Sequence, residues 1–217
     1  MPWTMIHLGV AGNLTDKFKI NKIPDFYLGA VAPDAVHYRA NYIREYKDIS
    51  HLCLAGDSHE IILNNAKDFI LKNISHEHRD FYIGYGVHVM TDVYWAKTVY
   101  AEFAMRYLED KNPIYPKKED AYFNDMCILD LELYRKYKYA SDNMTFFIKS
   151  SPIGIDGLVS AEEVRACFDG IRQIKNRFDE NKNANESPKY IFYDDVLNFI
   201  DETAVKIDQY LTPTNKH

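Results

Sequence analysis

The sequence has few of the features that mark several large classes of protein. Only three of its 217 residues are cysteines, Cys53, Cys127 and Cys167, and no Cys-x-x-Cys pair occurs. This favours reduced thiols over a disulfide framework. No apolar run approaches about 18 residues, the length that a membrane-spanning helix needs. The first residues lack a basic segment and a small-residue cleavage site, so we predict no signal peptide and a cytoplasmic protein.

The chain also has fewer basic than acidic residues. The chain has 26 Lys and Arg against 32 Asp and Glu, a net charge of −6. Basic residues such as Lys117 and Lys118 are interleaved with acids, which is typical of solvated helix faces. A nucleic-acid backbone is therefore not an expected partner. A basic amphipathic helix that would lie on a membrane surface is missing as well.

Apolar and aromatic residues, by contrast, are plentiful. They make up 47% and 14% of the chain, with 17 tyrosines and 12 phenylalanines, which predicts a core rich in large rings. Strand-like alternation is rare, whereas helical periodicity is frequent. We therefore predict one all-α domain over residues 1–217, with the unusual polar residues in about 1–110 and a helical scaffold in about 111–211.

Helical periodicity predicts where the helices lie. The predicted ranges are about 3–14, 24–31, 57–72, 78–109, 117–139, 143–150, 160–180 and 190–211. Residues 35–56 lack a pattern and are predicted to be irregular. Asp57 with Glu60, and Ser160 with Glu163, have the spacing of capping boxes at helix starts.

The predicted long helix at 78–109 contains two glycines. Gly84 and Gly86 each cost a helix about 1 kcal/mol relative to alanine. Such residues are expected where another helix or backbone packs closely. The Asn112-Pro113 pair is expected to end this segment.

Several ionisable residues interrupt apolar stretches. His88 and Asp92, in YGVHVMTDVYW, are four residues apart and share one helical face with aromatic residues. His7 interrupts the apolar face of the first helix, Asp34 lies in GAVAPDAVH, and His51 enters an apolar patch in KDISHLCLAG. Burying charged carboxylates is costly unless they are paired or bound to a cation. A metal ion would offset that cost, and these ligand types suit zinc and also iron, manganese or nickel.

The residues alone leave alternatives open. A His-x-x-x-Asp pair often occurs by chance, and a lone histidine on an apolar face is usually a hydrogen-bonded core residue. A metal-free His–Asp network is therefore one alternative. A non-catalytic helical binding protein that a metal stabilises is another. An iron site used by a phosphohydrolase or an oxygenase is a third, although the adjacent His-Asp pair of the helical HD phosphohydrolases is absent from this sequence.

Four ordered stretches are more specific than any single residue. They are WTMIHLGVAGNL with His7, FYLGAVAPDAVH with Asp34, KDISHL with His51, and DFYIGYGVHVMTDVYW with His88 and Asp92. Together they resemble the zinc-dependent phospholipase C family, in its smaller bacterial branch. They span residues 3–95, less than half of the chain. The resemblance implies a multi-helix bundle of the phospholipase C/nuclease type with a metal site between helices.

The resemblance also implies a ligand set. One zinc ion would take Asp34, His51, His88 and Asp92. Asp92 would bridge to a second ion, which would also take His7. We therefore expect one or two divalent ions, with zinc as the first expectation.

Two departures from the secreted members of the family affect this expectation. Those members use the amino group of an N-terminal tryptophan as a ligand, whereas Trp3 follows two other residues and is expected to pack beneath the site. They also build a third zinc site from two later histidines and a glutamate. No histidine follows Asp92 until His217, so a third site is not expected.

The family's reaction is the hydrolysis of a phosphodiester or a phospholipid head group. The resemblance therefore implies a metal-dependent hydrolase that attacks a phosphoester with a metal-activated water. Asp34 is a candidate to orient or deprotonate that water. His37 and His59 are candidates for outer hydrogen-bond donors or proton shuttles, and Tyr85 for a contact to a substrate oxygen. The expected substrate is a small phosphoester or a lipid-like molecule.

Overall fold

A computed structural model describes residues 1–137, 150–180 and 187–212. These residues form nine α-helices and one 3₁₀ helix, which confirms the predicted all-α class. The α-helices are α1 (Thr4–Gly12), α2 (Ile23–Gly29), α3 (Arg44–Ser50), α4 (His59–Lys72), α5 (Arg79–Lys97), α6 (Val99–Glu109), α7 (Lys118–Lys136), α8 (Ala161–Glu180) and α9 (Tyr193–Leu211), and the 3₁₀ helix spans Ala32–Tyr38. The described residues contain no β-strand beyond one isolated bridge between Ile155 and Val159.

Helix α5 lies at the centre of the fold. It packs against α1, α2, α4, α6 and α9. Phe81, Tyr85 and Trp95 on this helix are fully buried, as is Phe26 on α2. A helix that is apolar around most of its circumference belongs inside a protein. The expected core of large rings is therefore confirmed, and it surrounds the helix that carries His88 and Asp92.

Glycines allow the central helices to approach closely. A Cβ atom on Gly84 of α5 would lie 2.1 Å from the carbonyl oxygen of Phe26 on α2. A Cβ atom on Gly29 of α2 would lie 2.1 Å from the carbonyl oxygen of Phe81. On another face of α5, a Cβ atom on Gly86 would meet Ile70 of α4 at 2.5 Å. The predicted close packing at Gly84 and Gly86 is therefore confirmed.

The single helix predicted for 78–109 is wrong, because the structure has two. Helix α5 ends at Lys97 and α6 begins at Val99. Between them, Thr98 has a non-helical backbone with φ −122° and ψ −92°. Its hydroxyl donates to the carbonyl of Tyr94 at 2.8 Å. A threonine that bonds to its own helix in this way competes with the backbone ladder and favours a change of direction.

The prediction that residues 35–56 are irregular is also wrong. Most of the 3₁₀ helix, Ala32–Tyr38, and all of α3, Arg44–Ser50, fall in this range. Both elements have seven residues, too few to display an apolar periodicity. They are held by packing, since the 3₁₀ helix contacts both α3 and α8.

One of the two predicted capping boxes is confirmed. Ser160 accepts the backbone N–H of Glu163 at 3.1 Å, and the Glu163 carboxylate accepts the N–H of Ser160 at 2.8 Å. At the start of α4, however, Ser58 is the capping residue, because its hydroxyl accepts the N–H of the third helical residue. Asp57 instead accepts the N–H of Leu54 at 2.7 Å and closes the preceding turn.

The carboxyl-terminal helices complete the walls around this centre. Helices α7 and α9 pack against α1, and α8 packs against the 3₁₀ helix. Residues 143–149 of the helix predicted at 143–150, and most of the predicted polar connector, lie outside the described residues. Of the helices in the described ranges, none combines the length and the hydropathy that crossing a membrane requires.

Candidate metal centre

The five residues predicted as metal ligands come together from four elements. His7 lies on α1, Asp34 on the 3₁₀ helix, and His51 immediately after α3. His88 and Asp92 lie one turn apart on α5. They fall into two overlapping groups able to hold a metal ion, His7–His88–Asp92 and Asp34–His51–His88. Helices from distant parts of the first hundred residues therefore converge on one polar cluster.

The distances between four of these side chains fit a tetrahedral site. His51 Nε2 lies 3.3 Å from His88 Nε2, 3.3 Å from Asp92 Oδ2 and 3.5 Å from Asp34 Oδ1. His88 Nε2 lies 3.9 Å from an oxygen of each carboxylate. Around a tetrahedral zinc ion with bonds of about 2.0–2.1 Å, neighbouring ligand atoms are about 3.3–3.4 Å apart. The three distances from His51 are therefore close to the spacing that one ion requires, and the two from His88 to the carboxylates are longer.

Asp92 also faces His7. Its Oδ1 lies 3.4 Å from His7 Nε2, whereas its Oδ2 faces His51. The His7 ring stacks on the ring of His88, with centroids 3.8 Å apart and planes 6° apart. One carboxylate oxygen thus points toward each of two neighbouring positions, which is the arrangement a bridging carboxylate needs.

Backbone carbonyls orient two of the histidines. His88 Nδ1 lies 2.8 Å from the carbonyl oxygen of Ala30, and His51 Nδ1 lies 2.9 Å from that of Lys47. Because a carbonyl oxygen only accepts, Nδ1 is the protonated nitrogen in both rings. Nε2 of His88 then presents a lone pair to the cluster, and Nε2 of His51 does so once that ring has lost its second proton. Fixing the tautomer through the other ring nitrogen is the usual way in which proteins prepare a histidine ligand.

Asp92 and His7 lack the partners that buried polar groups usually have. Among the described residues, neither oxygen of Asp92 and neither ring nitrogen of His7 makes a hydrogen bond of good geometry, although the Asp92 oxygens face His7 and His51 at 3.4 and 3.3 Å. Three other buried carboxylates each accept at least one backbone N–H group, namely Asp80, Asp125 and Asp130. Leaving such groups unpaired in a protein interior costs about 1–3 kcal/mol each. A divalent cation would satisfy both Asp92 and His7, so the residues present fit a metal ion.

The cluster also perturbs the protonation of its members. Burial, with the neighbouring His7, lowers the pKa of His88 to about 3. Burial has the same tendency at His51, but Asp34 and Asp92 outweigh it and raise the pKa of His51 to about 9. The histidines in turn hold the pKa of Asp92 below its usual value, although burial opposes this. In the absence of metal, His51 therefore carries a proton that a metal ion must displace.

Sequence reasoning missed Lys47, which contacts the site directly. Its Nζ lies 3.2 Å from Asp34 Oδ1 and 3.1 Å from His37 Nε2, and only 8% of the residue is exposed. His37 is more exposed and lies 3.6 Å from the same oxygen of Asp34. Lys47 precedes His51 by four residues, a helical spacing that would have placed both on one face of α3. That signal was hidden because residues 35–56 were predicted to be irregular.

The remaining two outer candidates differ in position. The hydroxyl of Tyr85 donates to the carbonyl of Ser50 at 2.6 Å, and the side chain is fully buried. Tyr85 therefore holds the end of α3 beside His51 rather than facing a substrate. His59 begins α4, is exposed, and belongs to neither of the two ligand groups.

One side of the cluster opens on a cavity. Asp34 keeps 31% of its side chain exposed and lines a cavity of about 690 Å³ between the amino-terminal residues, α7 and α8. Trp3, which precedes α1, lines the same cavity and packs edge-on against Phe123 at 5.0 Å. The other four candidate ligands are buried more deeply, and none of their side chains is more than 11% exposed. Asp34 is therefore the candidate ligand that faces the cavity.

Comparisons with known proteins add no relative. No protein-family model matches the chain, and no curated protein or solved structure matches it either. The resemblance to the zinc-dependent phospholipase C family stays a prediction from the four stretches. Buried histidines and aspartates able to hold a metal ion are present, and the identity of that metal also stays a prediction.

Proposed function

We propose that the protein is a metal-dependent hydrolase that cleaves a phosphoester, as the resemblance to the zinc-dependent phospholipase C family implies. The observation that carries this proposal is the pairing of two features at one place. Asp92 and His7 are buried without hydrogen bonds of good geometry among the described residues, and the adjacent Asp34 opens on a cavity. A metal site that serves only stability has no need of such an opening, since structural zinc sites are usually closed.

The ligand set favours zinc, with iron, manganese or nickel as other ions that histidine and carboxylate ligands accept. A divalent ion held by His51, His88, Asp34 and Asp92 would supply an activated water and would neutralise charge on phosphoryl oxygens. His7 and the second oxygen of Asp92 would hold a second ion. The number of ions is thus one or two.

Asp34 has the position required to handle the attacking water. His37 and His51 keep the pKa of its carboxyl well below the usual range despite burial, so it is ionised at neutral pH. A carboxylate that faces the cavity can orient a water molecule and accept a proton from it. Lys47, 3.2 Å away, holds the carboxylate in place and balances its charge. Burial of His51 and His88 keeps bulk water from the opposite side.

The test is hydrolysis by full-length protein of defined metal content. Bis-p-nitrophenyl phosphate and phosphatidylcholine vesicles are suitable first substrates, and elemental analysis measures the metal. Asp92→Ala should lower both metal content and kcat/KM, the latter about 100-fold or more, because even residues outside the ligand set cost about 10–100-fold. Asp68→Ala, on the exposed face of α4, is the control and should change neither.

The contrary result is equally clear. If metal-loaded wild-type protein is no more active than Asp92→Ala on a broad panel of phosphoesters, the hydrolase proposal fails. Metal retained without turnover would then favour the alternative of a non-catalytic, metal-stabilised helical binding protein.

A further inference from the structure

Lys47 places a buried cation beside the candidate metal ligands. Its Nζ donates to Asp34 Oδ1 at 3.2 Å and to His37 Nε2 at 3.1 Å, and only 10% of its side chain is exposed. Its backbone carbonyl accepts from His51 Nδ1 at 2.9 Å. Lysine is rarely buried to this extent unless it is paired. Contacts to two candidate ligands and to His37 therefore fix the position of this ammonium group.

The ammonium group keeps one donor for a further partner. A lysine side chain offers three N–H donors and no acceptor. Asp34 and His37 take two of them, and within the described ranges Nζ has no third hydrogen-bond partner. The two side chains that flank it are partly open, since Asp34 is 31% and His37 43% exposed. A small acceptor that enters beside Asp34 can therefore reach the remaining donor.

The charges of the cluster leave Lys47 without a counter-ion once metal is bound. The candidate ligands carry two negative charges, one on Asp34 and one on Asp92, and a single divalent ion balances both. The ammonium of Lys47 is then a positive charge in surplus, and a second ion would add two more. A charge held inside a protein is costly unless an opposite charge accompanies it.

The acids on the adjoining elements do not supply that opposite charge. They are paired with arginines, Asp48 with Arg44 at 3.1 Å and Glu163 with Arg39 at 2.6 Å. The opposite charge must therefore come from a bound molecule. An anion at Asp34 would balance the surplus and accept the free N–H of Lys47 in one contact, and hydrogen bonds between charged groups are the strong ones.

We infer that Lys47 binds a non-bridging phosphoryl oxygen of the substrate and makes the site selective for anionic esters. This inference rests on the proposed function, because it names a substrate-binding residue of the same site. Lys47 is then a direct contact to the substrate and not only a support for Asp34. A neutral carboxylic ester brings no negative charge and would leave the surplus unbalanced, so it is excluded as the preferred substrate.

Binding of inorganic phosphate to the zinc-loaded, full-length protein tests this contact without turnover. Lys47→Met removes the charge and keeps a side chain of similar shape. Its affinity for phosphate, measured by calorimetry, should be about tenfold to a hundredfold weaker, the effect of losing a hydrogen bond to a charged group. Lys72→Met makes the same change at the exposed end of α4 and should bind phosphate as the wild type does. Equal affinities in wild type and Lys47→Met would overturn the inference.

Two further measurements separate substrate binding from support of Asp34. Imidazole is a neutral ligand that suits zinc, so its affinity reports the ion and not the charge beside it. In Lys47→Met the affinity for imidazole should be retained. The affinity for zinc, from competition with a chromophoric chelator, should be retained or increased, because no ammonium then opposes the ion. If zinc, imidazole and phosphate binding all weaken together, Lys47 only supports Asp34 and the inference fails.

A crystal structure of the zinc-loaded wild type with inorganic phosphate gives evidence that depends on no variant. The inference predicts a phosphate oxygen about 2.7–3.2 Å from Lys47 Nζ. Phosphate bound at Asp34 without this contact would contradict the inference.

Turnover tests the hydrolase proposal separately. Phosphate binding that depends on Lys47, in a protein that hydrolyses no phosphoester, supports the inference and removes the hydrolase proposal alone. Hydrolysis of bis-p-nitrophenyl phosphate that is as fast in Lys47→Met as in the wild type overturns the inference alone. Absence of both phosphate binding and hydrolysis in the zinc-loaded wild type overturns both.

Discussion

Because His51 is protonated in the folded, metal-free protein, its contribution to stability should fall as the pH rises. Asp34 and Asp92 raise the pKa of this histidine from 6.5 to about 9. A raised pKa means that the folded state binds the proton more tightly than the unfolded chain. The resulting stabilisation is complete below pH 6.5 and is lost as the pH rises through about 9.

The size of the effect follows from the pKa change. Each tenfold difference in proton affinity corresponds to about 1.4 kcal/mol, so this change is worth about 3 kcal/mol. His51 is only 6% exposed, so solvent screening reduces the value little. We therefore expect the free energy of unfolding of the metal-free protein to fall by about 3 kcal/mol between pH 6.5 and about 9.5 through this one residue.

Three other members of the cluster, His88, Asp34 and Asp92, titrate outside this range. His88, with a pKa of about 3, is neutral throughout, and the lowered pKa values of Asp34 and Asp92 keep both ionised. Asp130 has a pKa raised by burial to about 7 and does titrate here. A comparison with His51→Gln removes its contribution, since Asp130 is present in both proteins.

The assay is urea unfolding in the presence of a chelator at a series of pH values, followed by circular dichroism. The wild type should lose about 3 kcal/mol more than His51→Gln over the range. Parallel losses in the two proteins, or a wild type that gains stability, would refute the reasoning. With zinc present, affinity should instead rise about tenfold per pH unit up to about pH 9, because binding displaces one proton.

Three further predictions concern packing and support. Gly84→Ala should lower the free energy of unfolding by about 1–3 kcal/mol or more, because its Cβ would overlap the carbonyl oxygen of Phe26 and push α2 away from α5. Denaturant unfolding measures this loss. An unchanged unfolding midpoint would contradict the close contact. Tyr85→Phe leaves the carbonyl of Ser50 without its donor and should cost about 1–3 kcal/mol. The same variant should weaken zinc binding about tenfold, measured by competition with a chromophoric chelator, and an unaltered affinity would show that Tyr85 does not position His51. Ser160→Ala should lower the free energy of unfolding by about 1 kcal/mol in the same assay. A loss near zero would show that the capping box does not stabilise the protein.

The residues of the candidate site were predictable because they break a pattern. His7, His88 and Asp92 interrupt apolar faces of helices, and such interruptions are visible in a single sequence. Asp34 and His51 needed the ordered set of stretches, because neither lies on a long periodic segment. Periodicity alone does not show that all five residues come together, because this depends on how the helices pack.

The parts that sequence reasoning missed have a common physical cause. Helix α3 and the 3₁₀ helix are too short for periodicity, and their stability comes from packing on other elements. Lys47 was overlooked for that reason, although it is buried against Asp34. Neither glycine nor proline marks the break at Thr98, whose hydroxyl bonds to the carbonyl of Tyr94.

The most direct test of the central claim is anomalous diffraction from crystals of the full-length protein grown with zinc. Data collected on either side of the zinc absorption edge locate the ion without reference to activity. The account predicts one or two anomalous peaks within bonding distance of His51, His88 and Asp92, with His7 beside the second peak if two are present. The absence of any peak within this cluster, in crystals that contain zinc, would contradict it.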